Sequence, residues 1–130
     1  NVRSTTGIPV EPEGLIEVLR RYRNHPSCRR FVITESGFGM KDRLVDGRVR
    51  DDLRIWYART HLEVLRRAKA EGLPVDGFFQ WSYADNIEWI FGRDGRYGLV
   101  YIDYDDNRRR IPRDSYRWFR QLLTTAEGVD

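Results

Sequence analysis

Apolar residues along the chain switch repeatedly between helical and strand-like spacing. Leu15, Val18, Leu19 and Tyr22 recur at helical intervals after Pro12-Glu13, and Asn24-His25-Pro26 ends the run, which predicts a first amphipathic helix. Arg30-Phe31-Val32-Ile33-Thr34 follows as a short, continuously apolar, β-branched stretch bounded by Ser36-Gly37, the pattern of a strand buried on both faces of a parallel sheet. Beyond the turn at Asp46-Gly47, the longest periodic segment predicts one helix over 49–71, with Val49, Leu53, Trp56, Leu62, Leu65 and Ala68 toward the core. Asp51 and Asp52 fall in its first turns, where the helix dipole favours anions, and Gly72 with Pro74 closes it. Residues 76–82 read as a second buried strand and 97–104 as a further short one, turned by Asp105-Asp106-Asn107. Tyr116, Phe119, Leu122 and Leu123 form the stripe of a last helix.

Helix, strand, helix, strand, helix is the alternation of an α/β architecture with right-handed crossovers. Two buried strands cannot make a parallel sheet that hides both faces. Either copies of the chain assemble, or the remaining strands lie outside this sequence. With no repeat, linker or low-complexity tract, residues 1–130 read as a single unit. That length falls short of the roughly 200–250 residues of a complete (β/α)8 barrel.

Composition narrows the function classes. Hydrophobic residues make up 40% of the chain, enough for a packed core and against disorder. No apolar run approaches the roughly 20 residues of a membrane span, and the first six residues lack the layout of a signal peptide, so no membrane role and a cytoplasmic location are expected. Cys28 is the single cysteine, which excludes an internal disulfide and a cysteine-based zinc site. His25 and His61 lack partners at ligand spacing, so both read as structural or surface residues, and neither a metal nor a cofactor is expected. The net charge of +3 is carried almost wholly by arginine, with Lys41 and Lys69 the only lysines. These arginines interleave with acids, as in Arg48, Arg50, Asp51, Asp52 and Arg54, and read as a solvated surface rather than a nucleic-acid footprint.

Two places carry candidate chemistry. Glu35 sits at the C-terminal end of the first predicted strand, the edge where parallel α/β folds collect ligands. Trp81 to Trp89 follows the second strand with two indoles and the acids Asp85 and Glu88. Indole faces stack on the C–H faces of a sugar while carboxylates and amides take its hydroxyls. Taken singly, each Trp also fits a core position and Glu35 a loop carboxylate; their density at one sheet edge is what points to carbohydrate.

Ile33-Thr34-Glu35-Ser36-Gly37 resembles the Ile-Thr-Glu-Asn-Gly motif of the family 1 glycoside hydrolases, the β-glucosidase family. The stretch from Asp76-Gly77-Phe78-Phe79-Gln80-Trp81-Ser82 through Asp85-Asn86-Ile87-Glu88-Trp89 is similar to its Gly-Tyr-Phe-x-Trp-Ser-Leu-x-Asp-Asn-Phe-Glu-Trp block. Pro12-Glu13-Gly14-Leu15, Val45-Asp46-Gly47, His61-Leu62, Arg96 to Tyr104 and Arg110 to Ser115 extend the likeness over nearly the whole chain, in order.

The resemblance implies the C-terminal part of a (β/α)8 barrel, with its last two strands and flanking helices, in a retaining β-glycosidase of β-glucosidase type. It implies Glu35 as the nucleophile, Trp81 as the platform under the cleaved sugar, Glu88 on the 4- and 6-hydroxyls, Trp89 near the 3-hydroxyl, and Tyr97 at a subsite position usually Phe. Retaining hydrolysis needs two carboxyl groups about 5–5.5 Å apart. Glu35 supplies one; the family's Asn-Glu-Pro acid/base motif does not occur here. The implied partners are therefore a β-glycoside and the N-terminal part of the barrel. The 130 residues alone are expected to be inactive, and the competing reading is a non-catalytic sugar-binding or self-assembling barrel fragment. Ser36 in place of Asn, Ile87 in place of Phe, and Phe91 and Arg93 depart from the family pattern on the nucleophile and leaving-group sides. Around Glu88 the sequence offers no basic clamp, so a 6-phospho-sugar is not expected.

Overall fold

Pro12 stands at the start of α1 (Pro12–Tyr22), where its missing N–H costs nothing, and Arg20 and Arg21 sit in the last turn against the helix dipole. In this computed structural model, which describes residues 2–125, the order continues as β1 (Phe31–Ser36), α2 (Asp52–Ala70), β2 (Val75–Gln80), β3 (Val100–Asp103), β4 (Arg109–Pro112) and α3 (Asp114–Thr124). Asn1 and residues 126–130 of the expected single unit lie outside the described residues. Among the described residues no helix is long and apolar enough to cross a membrane.

β1 and β2 pair in parallel, with α2 as the crossover. β3 and β4 form a separate antiparallel hairpin turned at Asn107 and Arg108, both with positive φ. The expected α/β order and the parallel pair are present, and the described strands form two separate two-stranded sheets with no closed barrel. The strand β4 escaped the pattern because Arg109-Arg110-Ile111-Pro112 carries a single buried apolar residue.

The main core lies between the helices and one face of the parallel pair. Ile16 and Leu19 of α1 meet Val64, Leu65 and Ala68 of α2, Leu73 and Val75, with Phe31, Ile33 and Phe78 packed against them. Several positions assigned to the core are exposed instead: Val18, Tyr22, Leu53, Trp56 and Leu123. On α2 the buried face runs through Arg54, Ala58, His61, Leu65 and Ala68, one step round the helix from Leu53 and Trp56. β1 and β2 are covered on one face, not two; Val32 and Phe79 are open. A two-stranded sheet has a helix layer on one side only, so an apolar strand keeps half its side chains in water.

Candidate functional site

The alternation of β1 is broken just where its chemistry begins. Ile33 pairs with Phe78 and Ser36 with Gln80, so three steps on β1 match two on β2, a bulge that changes which way the following side chains point. Ser36 turns to α2, its Oγ 3.1 Å from the Tyr57 hydroxyl. Glu35, its neighbour in extended backbone, is thereby turned from that helix. Its carboxylate is exposed and makes no hydrogen bond or ion pair among the described residues.

Trp81 arrives beside it through backbone pairing. Its N–H donates to the Ser36 carbonyl at 2.8 Å, and a Cβ on Gly37 would stand 2.1 Å from the Trp81 carbonyl oxygen. Only glycine permits that approach. The peptide bond from Trp81 to Ser82 is cis. Glu35, Ser36, Tyr57, His61 and Trp81 line one open cleft of about 380 Å³. Tyr97 lines an adjoining pocket of about 180 Å³ that shares Gly37, Tyr57 and His61. Its hydroxyl lies 3.1 Å from Thr6 Oγ1.

Glu88 and Trp89 stand apart on a tight turn and line neither cleft. Glu88 exchanges backbone bonds with Gly92 at 2.9 and 2.7 Å, and its Oε1 accepts from Asn86 Nδ2 at 2.9 Å. The Trp89 side chain at the tip is fully exposed. The described residues thus bring Glu35 and Trp81 together, set Tyr97 next to them, and leave Glu88 and Trp89 on a projecting turn. Among the described residues no group of three or more His, Cys, Asp or Glu is placed to hold a metal ion.

Asp85, grouped with the sugar-facing acids from its spacing, is sealed in the interior. Its Oδ1 accepts from the Gly98 N–H at 3.1 Å, and its Oδ2 from Ile102 N–H (3.2 Å), Arg96 Nη1 (2.6 Å) and Arg113 Nη2 (2.9 Å). Arg54 and Arg113 are fully buried, a correction to the reading of the arginines as surface. Asp42 Oδ2 joins them, 3.0 Å from Arg54 Nη2 and 2.7 Å from Arg113 Nη2. Asp51, at the N-cap of α2, makes no cap bond to its own helix; it accepts from the Ser115 N–H at 2.9 Å at the start of α3. Asp51 and Arg54 pair across three positions, but the other buried carboxylates find guanidinium partners 11 to 71 positions away, beyond the reach of local spacing.

Tyr57 and His61 also went unread as site residues. Their rings lie tilted against each other with centroids 3.9 Å apart, and His61 Nδ1 lies 2.8 Å from the Tyr57 carbonyl, so Nδ1 carries the proton. Burial raises the Tyr57 pKa, partly opposed by its bonds to Ser36 and Gly37, so the hydroxyl stays protonated. Burial lowers the His61 pKa below its ordinary 6.5, the carbonyl bond opposing it. As pH falls through 6.5 the unfolded chain takes a proton here before the folded one does. This residue's contribution is therefore complete above 6.5 and declines below it. Replacing His61 with Gln is expected to flatten the acid-side decline in denaturation midpoint between pH 7 and pH 5; an equally steep decline in the variant would contradict it.

A family model described as Glycosyl hydrolase family 1 matches residues 2–128. A 6-phospho-beta-galactosidase of Streptococcus equi subsp. zooepidemicus (strain H70) is 40% identical over 117 residues, covering 89% of this chain and 25% of that protein. One from Clostridium acetobutylicum is 39% identical over 123 residues, covering 94% and 26%. The chain thus spans about a quarter of the length of these curated relatives. Among solved structures, the GH1 beta-glucosidase of Exiguobacterium antarcticum B7 superposes with a TM-score of 0.92 at 34% identity, over 98% of this chain and 28% of that one. The family 1 β-glucosidase of Thermotoga maritima gives 0.91 at 33% identity, over 99% and 29%.

Proposed function

We propose, from the premise that the chain belongs to glycosyl hydrolase family 1, that it supplies the nucleophile and sugar-binding edge of a retaining β-glycosidase whose acid/base carboxyl comes from barrel strands outside these 130 residues. The observation that carries this reading is the β1 bulge, which leaves Glu35 exposed, without a partner among the described residues, and in one cleft with Trp81. In the reaction, a Glu35 oxygen attacks the anomeric carbon as the bond to the leaving oxygen breaks, and the second carboxyl gives that oxygen its proton. Water, deprotonated by the same second carboxyl, then displaces Glu35 and restores the configuration. The Trp81 face lies beneath the pyranose ring, and Glu88 and Trp89, on the turn that follows it in the chain, are assigned to the sugar hydroxyls by the family motif. Tyr97 walls the same subsite.

Within the family, we favour an unphosphorylated sugar, the β-glucosidase type, over the 6-phospho-β-galactosides named for two of the relatives. Glu88 presents a carboxylate held by the neutral Asn86 amide. A phosphate dianion on the sugar's 6-position would meet like charge there, at a cost that grows as water is excluded.

The test is covalent trapping in the full-length enzyme with an activated 2-deoxy-2-fluoro-β-glucoside and its 6-phosphate counterpart, followed by peptide mass analysis. The adduct is expected on the peptide containing Glu35, formed faster by the unphosphorylated probe. Labelling of a different carboxylate would overturn the nucleophile assignment, and faster labelling by the phosphorylated probe would overturn the sugar class.

A further inference from the structure

We propose that Arg54 and Arg113, joined through Asp42, are positioning residues that hold the loop carrying the nucleophile in register with the loop carrying the sugar subsite. This rests on the glycosidase reading above. Neither arginine touches the cleft. What they hold are the two segments that leave it: residues 37–42, which follow Glu35, and residues 82–98, which follow Trp81.

Arg54 donates through Nε to the Phe38 carbonyl at 3.3 Å, three residues past Glu35. Its Nη2 donates to the Arg96 carbonyl at 2.8 Å, immediately before Tyr97. One guanidinium therefore spans both segments. The Met40 N–H, donating to the same Arg96 carbonyl at 3.0 Å, is the direct seam between them. Arg113 repeats the arrangement one layer away. Its Nη1 donates to the Gly98 carbonyl at 2.6 Å and its Nη2 to Asp85, while Asp42 of the nucleophile segment accepts from Nη2.

Stability alone does not call for buried ions here, since apolar side chains of similar volume often serve as well in such places. A guanidinium differs in presenting five donors in one rigid plane, so it sets distances among several carbonyls at once. Here those carbonyls belong to opposite sides of the site. Loosening either arginine shifts Glu35 relative to Trp81 and Tyr97, and a displacement of about 1 Å at reacting atoms costs on the order of 100-fold in rate.

The experiment uses the full-length enzyme and separates positioning from folding by titrating active sites with the fluoro-glucoside, then expressing turnover per titrated site. Arg54→Met is expected to lower kcat per site about 100-fold with a smaller change in KM. Arg54→Lys, which keeps the charge and much of the volume but loses the planar fork, is expected to lower it about tenfold and covers the case in which the Met variant does not fold. A variant with fewer titratable sites but unaltered turnover per site would show a purely structural role and overturn the proposal. Absence of any label in the unaltered enzyme would instead overturn the glycosidase reading, and this proposal with it.

Discussion

Replacing Glu35 with alanine in the full-length enzyme is expected to lower kcat for an aryl β-glucoside by on the order of 10⁴- to 10⁶-fold, the scale at which loss of a covalent nucleophile leaves only binding and electrostatic stabilisation. No neighbour can take over. Asp85 has both oxygens committed inside the molecule, and Glu88, assigned to the sugar hydroxyls, does not line the cleft that holds Glu35. The vacated face should accept an external anion: azide attacks the anomeric carbon as the aryloxide departs, giving the α-glycosyl azide in place of the retained product. Residual activity within tenfold of the parent, or azide having no effect on an aryl β-glucoside with a good leaving group, would count against Glu35.

The largest stability effect is expected at Asp85. Asp85→Ala leaves Arg113, which is fully buried, with one of its two carboxylate partners gone, and strips the acceptor from two backbone N–H groups. Breaking a buried pair from one side costs about 3–5 kcal/mol. Asp85→Asn should recover little of it. An amide oriented to keep oxygen toward Arg96, Arg113 and Ile102 turns its NH₂ onto the Gly98 N–H, donor against donor. Nor can the chain shift to relieve this, because a Cβ at Gly98 would already lie 2.2 Å from the Asp85 nitrogen, so the backbones there are in contact. Urea or thermal denaturation of the purified enzyme measures the loss. A change below about 1 kcal/mol in the Asn variant would indicate that the carboxylate charge is not what holds this segment.

The two effects fall on different acids, Glu35 in the cleft and Asp85 in the interior, and local pattern does not assign such roles. Both Asp85 and Glu88 follow a strand within an aromatic-rich stretch, and both suit a sugar. Their difference is one of partners: Asp85 gathers donors from residues 96 to 113, whereas among the described residues Glu88 finds Asn86 and its own turn. In the same way, Leu53 and Arg54 are adjacent on α2, and the expected burial of one over the other is reversed because Asp42 and Asp51 make the arginine's burial possible.

Sequence by itself determined the order of the three helices and the first three strands, the parallel pairing implied by continuous apolar runs, the family motifs, and Glu35 at a strand's end. Those features are local in the chain, set by periodicity, turn chemistry and short motifs. The tertiary structure decided the direction in which Glu35 points, through a bulge defined only by β2, and which side of each helix is covered. It also decided which charges are interior. Each depends on residues that are distant in the chain and adjacent in space, and burial and ion pairing respond to that adjacency rather than to spacing along the sequence.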